Sequence, residues 1–300
     1  MNIMKTNYII HDDVIEGLKT IPDRSVDLVI LDPPYWKVVS EKWDYQWRTE
    51  NDYALWCKTW LDEISRVIKI SGSMYIFGYL RNLFYLYPEI LENNFLFRQQ
   101  IIIDKGLRAL GGRATKNYKM FPNVTETLLF FIYNSKIFIK EFLLEKQNKS
   151  GLTSKEINEA LGVKSNGGGL WSLYTGNNIL AQVPTEEMWN KLQKILKFRL
   201  PYSNISQTFN IEMGITDVWQ DIDFYEEERF HTTQKPIKLI ERIVSASSEE
   251  NMIVLDPFLG SGSTAIACEN LKRRWIGIDN DSNYVEIAKK RLENNPSKLF

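Results

Sequence analysis

The apolar run Val26-Asp27-Leu28-Val29-Ile30-Leu31 reads as a buried strand, and it ends in Asp32-Pro33-Pro34-Tyr35. The two prolines fix φ and remove two backbone donors, so the turn after the strand is stiff. The Asp32 carboxylate and the Pro33 carbonyl can then accept hydrogen bonds from one planar amino group, while Tyr35 offers a ring face for stacking. The exocyclic amine of a nucleobase meets all three demands. A Pro-Pro turn that merely closes a strand, with Tyr35 as packing, would use the same four residues, so the choice depends on the rest of the chain.

A second motif lies near the other end. Met252-Ile253-Val254-Leu255 reads as another buried strand and leads into Asp256-Pro257-Phe258-Leu259-Gly260-Ser261-Gly262-Ser263-Thr264-Ala265. A helical stretch, 266–271, and the strand Trp275-Ile276-Gly277-Ile278 follow, ending in Asp279. This is a βαβ unit whose glycines let backbone approach a ligand and whose terminal acid can grip ribose hydroxyls. Gly260 and Asp279 are 19 positions apart, near the spacing of about 20 in dinucleotide folds. Gly260-x-Gly262-x-x-Ala265 also fits a permissive dinucleotide fingerprint, which keeps a nicotinamide or flavin enzyme in view. Position argues against it: only 21 residues follow Asp279, too few for the further βα units such a fold needs. The sheet must be completed by strands from the N-terminal half.

In this order the motifs resemble the β class of amino-directed DNA methyltransferases. The similarity extends to 12–28, where Asp13 matches an acid near the cofactor's adenine, although Asp12 stands where the family usually has Gly. It extends also to His231-Thr232-Thr233-Gln234-Lys235-Pro236 with a helix over 237–245, and to the strand-like 125–132. It covers roughly 7–133 and 231–295. The resemblance implies an α/β fold: a circularly permuted Rossmann-like sheet binding S-adenosylmethionine, with 1–133 and 231–300 as the catalytic domain. The intervening 134–230 takes the place of a target-recognition region.

The resemblance also assigns roles. Asp32, Pro33, Pro34 and Tyr35 would form the catalytic pocket. Asp256, Phe258, Gly260, Gly262, Ser263 and Thr264 would line the methionine end of the cofactor. Asp279 would take the ribose hydroxyls and Asp13 the adenine amine. Lys235 would either pair with the methionine carboxylate or cap the following helix. The expected reaction is methylation of the N6 amine of an adenine flipped out of double-stranded DNA. The runner-up is N4 of cytosine, for which the family's motif usually begins with Ser where this chain has Asp32. A DNA-binding protein with a degenerate methyltransferase fold would have lost the motif acids, yet Asp32, Asp256 and Asp279 are present. The resemblance is compatible with a homodimer, and with an enzyme that works either beside a separately acting restriction endonuclease or as a solitary methyltransferase.

Composition narrows the field further. The chain has 300 residues and is 44% apolar and 13% aromatic, the texture of a folded globule. Neither a signal segment nor a membrane-length apolar run is expected, which points to the cytoplasm. Cys57 and Cys268 lack metal-ligand or disulfide spacing, and with two histidines no metal is expected. A net charge of −1 means that DNA contact must come from local patches. The best candidate is 98–119, with six cations against one acid. Arg108, Arg113, Lys116 and Lys119 are its expected DNA-binding residues, and Gly106, Gly111 and Gly112 suit a loop that orders on phosphates.

In contrast, 221–228 is acidic and reads as a linker kept away from DNA. Within 134–230, Thr153 or Ser154 would cap a short helix reminiscent of the first helix of a helix-turn-helix, and 186–196 reads as an amphipathic helix. Trp43, Trp47, Trp56 and Trp60 are read as helix packing.

Overall fold

A computed structural model describes residues 4–36, 45–110, 121–163, 169–177, 181–210, 212–230 and 234–295. The chain divides into two units, 1–133 with 208–300, and 134–207. The second unit thus ends at 207, before the 230 expected from sequence: Val218 and Trp219 pair with the sheet, and Ile222 and Phe224 join its core.

The first unit runs β1 (Tyr8–His11), α1 (Val14–Lys19), β2 (Val26–Leu31), α2 (Glu50–Val67), β3 (Ile68–Gly78), α3 (Leu80–Glu92), β4 (Phe95–Asp104) and β5 (Thr125–Tyr133). Within 134–207 lie α4 (Lys136–Ser150), α5 (Ser154–Ala160), α6 (Gly169–Thr175) and α7 (Glu186–Leu196). The first unit then resumes with β6 (Val218–Trp219), α8 (Ile237–Ser247), β7 (Ile253–Asp256), α9 (Ser263–Asn270), β8 (Arg274–Asp279) and α10 (Ser282–Glu293).

The eight strands form one sheet in the order β1-β8-β7-β2-β3-β5-β4-β6. β3 with β5 and β5 with β4 pair antiparallel, and the other neighbours are parallel. All six residues of β2 are buried, as a strand covered on both faces requires. Its alternate residues feed two cores. Val29 and Leu31 pack with α1, α2 and α3 on one face, while Leu28 and Ile30 pack with α8, α9 and α10 on the other. The N-terminal strand β1 closes the sheet beside β8, with His11 opposite Asp279. This is the permuted, doubly wound arrangement expected from the order of the motifs.

The acidic stretch 221–228 is no free linker. Asp221 accepts both guanidinium nitrogens of Arg242 on α8, at 2.9 and 2.6 Å. Ile222 and Phe224 are buried in the sheet's core, and Glu227 accepts the amide of Ile237. Its charges are spent holding the strap that leads into α8.

The unit 134–207 has its own core, built on Ile139, Leu143, Ile157, Trp171, Trp189 and Leu192. Thr153 and Glu156 form the reciprocal cap that starts α5. Every residue of α6 is buried or half-buried. A recognition helix needs an exposed polar face, so the helix-turn-helix likeness does not carry through to α6.

Candidate active site

β2 and β7 are parallel neighbours, with Val29 opposite Leu255. From β7 the sheet continues one way through β8 and β1, and from β2 the other way through β3. The connections diverge between these two strands and leave a crevice at their carboxyl ends. Asp32 leaves one strand there and Asp256 ends the other, so the two motifs, more than 200 residues apart in sequence, line a single cleft of about 290 Å³.

At the Asp32 end of the cleft, four side chains form a ring of polar contacts. The Tyr35 hydroxyl donates to Asp32 Oδ1 at 2.6 Å and lies 3.2 Å from Glu126 Oε1. The Lys235 Nζ stands 2.6 Å from Asp32 Oδ2 and 3.1 Å from Glu126 Oε1. Lys105 completes the set, 3.3 Å from Glu126 Oε2. Burial works to lower the Lys235 pKa, yet the Asp32 and Glu126 carboxylates outweigh it and hold the ammonium above its usual value. Burial likewise works to raise Glu126, but Lys235 and Lys105 bring it below the usual carboxylate range. For Tyr35, burial, Asp32 and Glu126 act together and push the phenol well up. Two carboxylates and two ammoniums thus balance inside the sheet, the condition for keeping buried charge.

The cofactor end is built from the β7–α9 loop. Asp256 accepts the Phe258 amide at 3.0 Å and the Thr264 hydroxyl at 2.5 Å. Burial is the main cause that raises its carboxyl to about 7; the two hydrogen bonds oppose this, and Asp32 and Asp279 add to it. Asp279, at the tip of β8, accepts the Gly260 amide at 2.7 Å and the Asp281 amide at 2.9 Å. Burial raises it too, against those two bonds. Asp13 caps α1 by accepting from the Ile15 amide and lines the cleft beside Asp12.

Among the described lining side chains, Asp12, Asp13, Asp32, Asp256, Asp279 and Asp281 face a single cation, Lys235. Such a cleft suits a cationic ligand with hydroxyls and amines to donate and repels a pyrophosphate-bridged dinucleotide. Phe258 and Trp56 supply apolar walls, their rings 6.0 Å apart. The residues present fit S-adenosylmethionine, a sulfonium with an adenosine and an ammonium.

Several expected residues land elsewhere. Lys235 sits on Asp32 rather than at the helix start or the loop that would hold a carboxylate. Gly262 adopts φ +86° at the start of α9, and a Cβ there would meet the Ala288 Cβ at 2.9 Å; it serves the close packing of α9 on α10 and does not line the cleft. Arg108 is exposed on the short turn Leu107–Leu110. Arg113, Lys116, Lys119, Gly111, Gly112, Trp43 and His231 lie outside the described residues. Lys105, counted with the basic loop, is committed to Glu126.

Sequence reading missed Glu126 and the lining role of Trp56. Glu126 was detectable as a lone acid near the start of the apolar strand β5, where a charge needs a partner. Trp56 shows no sequence signal that separates it from the packing residues Trp47 and Trp60. Both cysteines are free and buried. Among the described residues no cluster could hold a metal ion, and no helix is long and apolar enough to cross a membrane.

Comparison with known families decides what this cleft belongs to. The DNA methylase family matches residues 26–290, nearly the whole chain. The chain belongs to the DNA methylase family. This DNA methylase is 28% identical to the type II methyltransferase M.HinfI of Haemophilus influenzae, over 95% of its own length and 68% of the relative's. It is also 28% identical to the DNA adenine methyltransferase YhdJ of Escherichia coli (strain K12), over 95% and 82% of the two chains.

Its fold is shared with the M1.HpyAVI–SAM complex, at TM-score 0.57, 22% identity and coverage of 95% and 98%. It is shared too with the cytosine-N4-specific PvuII DNA methyltransferase, at TM-score 0.60, 16% identity and coverage of 99% and 90%. The methylase is an enzyme; its cofactor is S-adenosylmethionine and its substrate is DNA.

Proposed function

We propose that this methylase moves a methyl group to the N6 amine of an adenine flipped from a specific double-stranded DNA site. The observation that carries this reading is the juxtaposition of Asp32, at the end of β2, with the acidic cofactor loop after β7. Adenine is favoured over cytosine because the motif begins with Asp32 where N4 enzymes usually carry Ser, and because a relative of similar identity is named an adenine methyltransferase.

S-adenosylmethionine supplies an electrophilic methyl on a positive sulfonium. Asp32 and the Pro33 carbonyl orient the amine so that its lone pair, otherwise delocalised into the ring, faces that methyl. The rings of Tyr35 and Phe258 exclude water beside the carboxylates, which suits a reaction that disperses charge. Orientation then does the catalytic work. One S–C bond breaks, one N–C bond forms, and the amine's proton leaves to water. A stacked base cannot reach such a cleft, so the target must be extruded.

The unit 134–207 is the target-recognition region in this reading, and Arg108, Arg113, Lys116 and Lys119 hold phosphates. The enzyme works in the cytoplasm, where the DNA is, as a homodimer and alongside a separate endonuclease of matching specificity. Modification-sensitive sequencing of DNA from cells expressing the chain tests the central reaction. N6-methyladenine in one sequence context, absent with Asp32→Ala, is the expected result. N4-methylcytosine would replace the reading with its neighbour. Sedimentation at micromolar concentration reads the dimer.

A further inference from the structure

We infer that Glu126 is a positioning residue for methyl transfer, acting on Asp32 through Lys235 and Tyr35. The inference rests on the catalytic reading of Asp32 given above.

Glu126 is not among the residues that line the cleft. Its side chain is only 11% exposed, and burying a carboxylate so deeply is costly unless it is paired. Three partners surround it. Oε1 faces the Lys235 ammonium at 3.1 Å and the Tyr35 hydroxyl at 3.2 Å. Oε2 takes Lys105 at 3.3 Å. Two of these three, Lys235 and Tyr35, are the groups that grip the two oxygens of Asp32, each at 2.6 Å. Glu126 therefore sets the place from which both donors reach the catalytic carboxylate.

The chemistry explains why that matters. An ammonium with Asp32 as its only anionic partner would close on the carboxylate and compete with the target amine for it. A second anion on the far side draws the same ammonium back and shares it. Lys235 then steadies Asp32 while leaving acceptor capacity on its oxygens for the base. Each Asp32 oxygen accepts one such donor and retains a second lone pair. Lys105 neutralises the charge that Glu126 adds, so the arrangement remains balanced overall. The role is electrostatic and geometric, and it should appear in the rate of the chemical step rather than in binding.

The test uses the full-length enzyme with S-adenosylmethionine and a duplex carrying its methylation site. Glu126→Gln keeps the shape, and its amide can donate to the Tyr35 hydroxyl oxygen, but it loses the charge. Single-turnover methylation should slow by about tenfold to a hundredfold, the cost of a small misplacement at the reacting centre. The dissociation constants of cofactor and DNA should stay within about threefold. The decisive arm is a double-mutant cycle with Lys235→Met. Because Glu126 acts on Asp32 chiefly through Lys235, with Tyr35 the longer contact, the double variant should be much faster than the product of the two single losses would give.

Losses that multiply in the double variant would overturn the inference, as would a wild-type rate for Glu126→Gln. If Glu126→Gln fails to fold, Lys105→Met takes its place, and an unchanged single-turnover rate there overturns the inference as well. Asp32→Ala, which removes the acceptor, separates the two readings. An active Asp32→Ala enzyme sinks the catalytic assignment itself, whereas an inactive one beside a normal Glu126→Gln enzyme sinks only the role of Glu126.

Discussion

Lys235 and Asp32, 203 positions apart in the chain, meet at 2.6 Å between Nζ and Oδ2. The contact ties the segment before α8 to the end of β2 and puts a cation at the target end of the cleft. Removing that cation should therefore affect turnover more than cofactor retention. For Lys235→Met we expect kcat to fall by at least about tenfold, with the S-adenosylmethionine dissociation constant within about threefold of wild type. A cofactor affinity that drops in parallel with kcat would return Lys235 to the methionine carboxylate.

The Asp256 carboxyl, raised to about 7, makes cofactor binding depend on pH. Without ligand, the folded chain holds a proton there between about pH 4, where an unfolded aspartate titrates, and about pH 7. This group's contribution to stability is consequently present below about pH 4 and is lost as pH rises toward 7. A bound cation favours the carboxylate, so binding should release a proton and tighten as pH rises from about 6 to 8. Calorimetry in buffers of different ionisation enthalpy reads the proton directly. Asp256→Asn should abolish the release.

Gly262 tests packing apart from binding. Gly262→Ala places a Cβ 2.9 Å from that of Ala288, at a φ that side chains rarely adopt. Left-handed backbone costs about 1–2 kcal/mol for a residue with a Cβ, and overpacking adds about 1–3 kcal/mol. Denaturant titration should show a loss of about 2–5 kcal/mol. Cofactor affinity of the folded fraction should change by no more than about threefold.

Asp279 holds the Gly260 amide and faces the cleft. Asp279→Ala should weaken S-adenosylmethionine by about 1.5–3 kcal/mol, the range for hydrogen bonds to a charged acceptor. DNA affinity in the absence of cofactor should not change. A collapse of DNA binding would make the residue structural.

Arg108 is exposed and, unlike Lys105, pairs with no carboxylate among the described residues. Arg108→Ala should lower the slope of log affinity against log salt by about 0.9, one phosphate contact. A loss confined to the cognate sequence, worth about 1–3 kcal/mol, would instead make it a base reader. An unchanged slope removes it from the interface.

The sequence by itself determined the class of machine. An apolar run ending in Asp32-Pro33-Pro34-Tyr35, and a second ending in Asp256 before a glycine-rich turn, specify two parallel strands with chemistry at their carboxyl ends. Their order along the chain specifies the permutation. These features are local, carried by consecutive residues whose periodicity and φ restrictions act within one strand and one turn.

Tertiary structure alone decided which residues share the site. The β2–β7 pairing brought Asp32 beside the cofactor loop, and the antiparallel β3–β5 pairing brought Glu126 within reach of Lys235 and Tyr35. It placed the Lys235 ammonium on Asp32 within the cleft and Gly262 against Ala288 of α10. It also turned the acidic stretch around Asp221 into a strap bound to Arg242. Pairings across 100 to 200 residues leave no mark in the spacing of either partner, because a buried charge needs an opposite charge in space and not in sequence.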